Sequence, residues 1–156
     1  MIEQDLQNRV KAALEALGID GLVVCGNYIA ANAGAVMGEE TPDCKMLAEI
    51  VTMPRRADDY GWLCPISVQM GLSLSFRADD YPTGAEVAPV LGEVFDLVTA
   101  WSRETDGTDG SGALETDEFR PGGVRADGGT GPTFDSTACA WRATFSFTVR
   151  GRIKEN

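Results

Sequence analysis

The sequence predicts an α+β fold, an antiparallel or mixed β-sheet with two α-helices packed on one face. Two alternating segments and two amphipathic stretches carry this expectation. Ile66–Phe76 and Trp141–Arg150 place an apolar residue at every second position, with Ser, Thr, Gln, Gly or Arg between. Successive side chains of a strand point to opposite faces, so each segment has one apolar face and one small, polar face. At about 1.5–3 kcal/mol per fully buried large apolar side chain, these two strands supply much of one core. Helical spacing appears at Ile2, Leu6, Val10, Ala13, Leu14 and Leu17, and again at Val87, Val90, Leu91, Val94, Phe95, Val98 and Trp101.

The first helix is expected over Ile2–Leu17, with Glu3 and Asp5 early, Arg9 and Lys11 later, and Gly18 as its stop. Gly21–Cys25 reads as a short strand, and the Ala- and Gly-rich stretch 26–43 as an irregular loop. Met46–Met53 reads as a strand followed by a charged turn, Pro54–Gly61. The start of the second helix sets two signals against each other. Thr83 and Glu86 match a capping box worth about 1–2 kcal/mol, but that frame puts Pro89 past the first turn, where proline costs about 3 kcal/mol. The proline cost exceeds the capping gain and places the start near Ala85 or Glu86. From Ser102 to Thr137 the chain is rich in Gly, Asp and Thr, and reads as a second long loop with one possible short strand at Ala113–Phe119. No repeat is visible, and residues 1–156 read as one domain with loops at about 26–43 and 102–137.

Charge narrows the function classes. Thirteen basic residues against 24 acidic give a net charge of −11, which repels phosphate backbones and anionic membranes. No apolar run approaches the length of a membrane span, and the first residues are acidic where a signal peptide is basic, so a cytoplasm is the expected compartment.

Catalytic and metal chemistry find little support. Cys25, Cys44, Cys64 and Cys139 form no close pair, and the chain has no histidine. Zinc normally takes closely spaced ligands, so free structural thiols are expected, with Cys64 and Cys139 as small buried hydrophobes beside strands. The acids of Asp106–Gly112 lack the alternating oxygen ligands and closing Glu of a calcium loop, and the glycine clusters lack a P-loop lysine. The acidic pairs Glu39-Glu40, Asp58-Asp59 and Asp79-Asp80 fall in expected turns. No nucleophile–base arrangement is evident. The expectation is therefore a protein without cofactor, metal or enzymatic activity.

The basic residues are the main candidates for contact. Arg55-Arg56 and the C-terminal Arg142, Arg150, Arg152 and Lys154 stand out in an acidic chain. They suit either protection of strand edges or charge-complementary docking between copies. The candidate subunit or partner contacts are Arg55, Arg56, Asp58, Asp59, Arg142, Thr144 and Arg150.

The order of elements resembles that of the tail terminator proteins of long-tailed bacteriophages and prophages. An amphipathic helix, a strand ending at a charged turn, the alternating segment within Trp62–Arg77, a helix ending at Val98 and Trp101, a Gly/Asp-rich stretch and the closing strand in Ala140–Arg150 carry the resemblance. It implies a structural neck protein that closes into a homo-oligomeric, six-fold ring, caps the tail-tube protein, stops tail polymerisation and offers the surface for the head–tail connector. It also implies a place in the virion, with DNA passing through the lumen without specific binding. The stretches 26–43 and 102–137 depart from that pattern. Other head–tail connectors or minor tail proteins, and a solitary acidic ligand- or ion-binding module, are the alternative readings.

Overall fold

The computed structural model describes residues 1–28, 45–57, 65–102, 104–105 and 108–155. Along the chain lie α1 (Ile2–Glu15), β1 (Leu22–Tyr28), β2 (Met46–Thr52), β3 (Arg56–Ala57), β4 (Ile66–Arg77), α2 (Gly84–Ser102), β5 (Glu104–Thr105), β6 (Thr108–Asp109), a 3₁₀ turn (Gly110–Leu114), β7 (Phe119–Asp135) and β8 (Ala140–Ile153). The main sheet runs β1-β2-β4-β8-β7, with β3 beside β4 and a separate β5–β6 ribbon. Only β1 and β2 pair in parallel; every other ladder among the described residues is antiparallel. This is the α+β fold with a mixed sheet.

Register explains why one face becomes the core. Met70 pairs with Phe147, Leu72 with Phe145, Leu74 with Ala143 and Phe76 with Trp141. On the other side of β4, Ile50 pairs with Leu72 and Ala48 with Leu74. Directly paired residues share a face, so the alternation of the three strands adds up to one apolar surface. Both helices bury their stripes on it. Leu6, Val10 and Leu14 of α1 and Val87, Val94 and Val98 of α2 are buried with Phe147, whose ring lies 5.6 Å from that of Trp101. Leu114 of the 3₁₀ turn completes the core.

Buried polar groups at the α1–sheet contact are paired. Thr52 Oγ1 donates to Gln7 Oε1 at 3.1 Å, and both residues are buried. A Cβ on Gly26 would collide with Gln7 Nε2, so glycine makes room for this amide. At the opposite end, Trp141 Nε1 donates to the Tyr81 carbonyl at 3.0 Å, and the Tyr81 ring meets Phe76 edge-on. These contacts anchor the β4–α2 connection against β8.

Several expectations are corrected. α1 ends at Glu15, followed by a turn in which Gly18 takes φ +67°, a conformation that favours glycine. Its last turn contains no basic residue, so Arg9 and Lys11 lie too early to complement the helix C-terminus. α2 begins at Gly84, one residue before the expected Ala85, which leaves Pro89 inside the helix beyond its first turn. Pro89 and Ala85 are both exposed, so water can solvate the Ala85 carbonyl that the proline cannot bond, while Val87 and Leu91 still reach the core. Cys139 is exposed at φ 50° in a turn, and Cys25 is half-buried; both are free thiols.

The largest correction concerns the stretch 102–137, expected to be a loop. Residues 119–135 instead form β7, the longest strand in the structure, paired to β8 nearly throughout. The expected short strand at Ala113–Phe119 is instead the end of a 3₁₀ turn and an irregular link. β7 escapes a pattern-based reading because its register shifts at Pro121/Gly123, Ala126/Gly128 and Thr130/Thr133, and each shift interrupts the two-residue period. As an edge strand it also tolerates prolines that a central strand does not. The hairpin to β8 closes through Asp135, whose Oδ1 accepts the Thr137 and Ala138 amides at 3.0 and 3.2 Å. Most of the expected loop at 26–43, together with Asp58, Asp59, Cys44, Cys64 and Asp106, lies outside the described residues.

Candidate functional site: the polar face of the sheet

The face of the sheet opposite the helices carries the small polar residues of the alternating strands. Ser67, Gln69, Gly71, Ser73 and Ser75 of β4 pair with Arg150, Thr148, Ser146, Thr144 and Arg142 of β8. Among the described residues, no helix packs on this face. From Arg142 to Arg150 it extends about 27 Å along one strand.

Pairing concentrates cations at one end of this face. Arg56 is opposite Ser67, which is opposite Arg150, so three strands bring two arginines into one row. Gln69, Thr148 and Arg125 make the neighbouring row. Asp127 is the acidic member of the cluster. Its carboxylate accepts Thr148 Oγ1 on one oxygen and Arg125 Nε at 2.7 Å on the other. Burial alone raises its pKa, but those hydrogen bonds and the charges of Arg125 and Arg150 outweigh it and hold the carboxyl below its ordinary value. At the far end, Arg142 Nε lies 3.1 Å from Asp135 Oδ2, and the hydroxyls of Thr144 and Thr130 are 2.9 Å apart.

The sequence-derived candidates therefore divide. Arg56, Arg142, Thr144 and Arg150 share the polar face. Asp58 and Asp59 lie outside the described residues. Arg55 is engaged within the chain, where its Nη2 donates to Glu3 Oε1 at 2.8 Å and its Nε and backbone amide donate to Glu3 Oε2, each at 3.1 Å. It ties α1 to the link between β2 and β3. Sequence reasoning missed Arg125, Asp127 and Thr148 as a group. The alternation Val124-Arg125-Ala126-Asp127 was the available signal, but it sat in a segment whose glycines read as a loop.

The Glu3–Arg55 tie has a testable pH dependence. Glu3 is almost fully buried, which raises its pKa, yet the hydrogen bonds and charge of Arg55 hold the carboxyl below its ordinary value. A folded-state pKa below the unfolded one contributes stability that is present above the unfolded pKa. That contribution disappears as pH falls through the folded value. Arg55→Met should therefore cost about 2 kcal/mol at neutral pH and should flatten the acid limb of the stability profile. Urea titrations from neutral pH to below the carboxylate range measure both. An unchanged acid limb in the variant would show that the tie contributes nothing.

Among the described residues, no three His, Cys, Asp or Glu side chains converge in a way that could hold a metal ion, and no helix is long and apolar enough to cross a membrane. The face carries guanidinium groups and hydroxyls on the sheet, with Arg125 and Arg142 each paired to an aspartate of the chain itself. No family model and no curated protein matches this chain in sequence.

Proposed function

We propose that this protein is a structural assembly component of the tail-terminator type, which closes as a ring on a phage tail tube, stops its growth and presents a surface for head joining. The observation that carries this reading is the one-sided sheet. Its helical face is buried in the core, while its other face presents Arg56, Arg125, Arg142 and Arg150 from a chain of net charge −11. Arginines set beside Asp127 and Asp135 on one face favour charge-complementary docking between copies or onto a partner, and they set its orientation. The overall negative charge suits a ring around DNA, because it repels phosphate in the lumen. The sequence resemblance supplies the kind of assembly, and the charged face supplies the means of contact.

Electron microscopy of tails assembled with and without the protein tests the reading. In its absence, tubes should overgrow or fail to join heads; with it, they should end in a ring. Tubes of normal length that join heads without the protein would overturn it.

A further inference from the structure

Arginines occupy three successive rows at one end of the polar face. Arg120 is paired directly with Arg152, Arg150 stands in the next row with Arg56, and Arg125 stands in the row after that. From Arg152 to Thr148 the rows cover about 13 Å along β8. Two carboxylates answer part of this charge: Asp127 lies 2.7 Å from Arg125, and Glu115 lies 3.5 Å from Arg120. Arg56 and Arg152 are exposed and have no ion-pair partner among the described residues, and Glu155, past the end of β8, forms no ion pair there either. Like charges directly opposite each other destabilise a ladder, so the Arg120–Arg152 pair gains from a carboxylate supplied to Arg152 from outside.

α2 carries the complementary pattern. Its charged residues are Glu86, Glu93 and Asp96, all exposed and none ion-paired among the described residues. No other described element carries three acids without an ion-pair partner. Glu86 and Asp96 are ten residues apart, about 15 Å of helix, close to the length of the arginine rows. Ala85, Ala88 and Gly92 are exposed beside these acids, so no long side chain there holds a flat partner away. Phe95, 53% exposed, stands between Glu93 and Asp96 in sequence at the rim of an open apolar groove that it shares with Phe145. An exposed aromatic ring adds a face that attracts a guanidinium.

We infer that the exposed side of α2 docks on the arginine end of the polar face of a second copy of this chain, its carboxylates meeting Arg56 and Arg152. α2 buries Val87, Leu91, Val94 and Val98 in the core on the other side of the sheet, so a molecule's own acids cannot reach these arginines. The contact joins two different surfaces and leaves one of each open on every copy, an arrangement that propagates head to tail into a ring or filament. A nucleic acid is the weaker occupant, because the net charge of −11 repels phosphate. The inference rests on the reading that copies of this protein assemble with one another, and names the two surfaces that meet.

Sedimentation equilibrium of the full chain over a range of concentrations at low salt tests it. The unaltered protein should self-associate, and added salt should weaken the association. Arg56→Glu with Arg152→Glu, and separately Glu93→Lys with Asp96→Lys, should each raise the dissociation constant about tenfold or more. A chain carrying all four substitutions reverses both surfaces and should recover the association. Circular dichroism confirms that each variant folds. An unaltered protein that stays monomeric, paired variants that associate as it does, or a chain with all four substitutions that does not recover would overturn the inference. Binding of a short single-stranded DNA that is lost in Arg56→Glu with Arg152→Glu would also overturn it, by assigning these arginines to phosphate. Tails that overgrow without the protein, combined with no charge-dependent association, would reject this contact and keep the tube-capping reading. Charge-dependent association combined with normal tails would do the reverse.

Discussion

Phe147→Ala is expected to lower stability by about 3–5 kcal/mol. The ring has no solvent exposure, lies against Trp101 of α2, and is paired across the sheet with Met70. Its removal leaves a cavity between the two layers, and the surrounding side chains belong to elements held by their own ladders and cannot collapse freely into it. Phe145→Ala should cost clearly less, because that ring is only partly buried and faces the open groove. Thr144→Ala and Ser146→Ala, on the polar side, should be mild in the isolated protein. Guanidinium titrations of the four variants measure this order. Equal losses at Phe145 and Phe147, or a loss at Ser146 as large as that at Phe147, would mean that the register of β8 is wrong.

Gly151→Ala should destabilise the protein by about 3 kcal/mol and should separate β7 from β8 first. A Cβ at this position would collide with the Arg120 carbonyl oxygen and lie 2.5 Å from the Phe119 ring. Phe119 is fully buried and Arg120 contributes backbone, so neither neighbour can yield cheaply. Gly131→Ala provides the control, since nothing lies within 4 Å of its Cβ position. Hydrogen exchange should show early loss of protection in residues 119–126 for Gly151→Ala, with α1 and β2 little affected. A Gly151→Ala protein as stable as the Gly131→Ala protein would refute the close approach of β7 to β8 at this point.

Gly151 also shows where sequence reasoning stopped. It lies in a strand whose alternation is easily read, but nothing local indicates that its missing side chain leaves space for another strand. That other strand, β7, reads as loop. Its glycines and prolines are ordinary loop residues, and its three register shifts remove the alternation that identifies β4 and β8. β7 is a strand because β8 offers it a ladder, and a ladder between residues 119 and 153 leaves no trace in local propensity. The candidate site was legible to the same extent. Arg142, Thr144 and Arg150 lie on one readable strand, so their shared face follows from the two-residue period. Arg56 joins them only through β3 and β4, and Arg125 and Asp127 only through β7. Arg55 looks equivalent to Arg56 in sequence, yet it binds Glu3, 52 residues away.

The sequence by itself determined the element types with strong periodicity: α1, β2, β4, α2 and β8, together with the apolar face of each. These follow from local geometry, because a period of 2 or 3.6 residues allows only one way to segregate side chains. Tertiary structure alone decided the rest. It placed β4 between β2 and β8 and paired β1 parallel to β2. It made a strand of residues 119–135, and it allowed α2 to start at Gly84 despite Pro89. Each of those outcomes depends on contacts between residues far apart in the chain, where the burial of a shared apolar face outweighs the local cost of a proline, a bulge or a run of glycines.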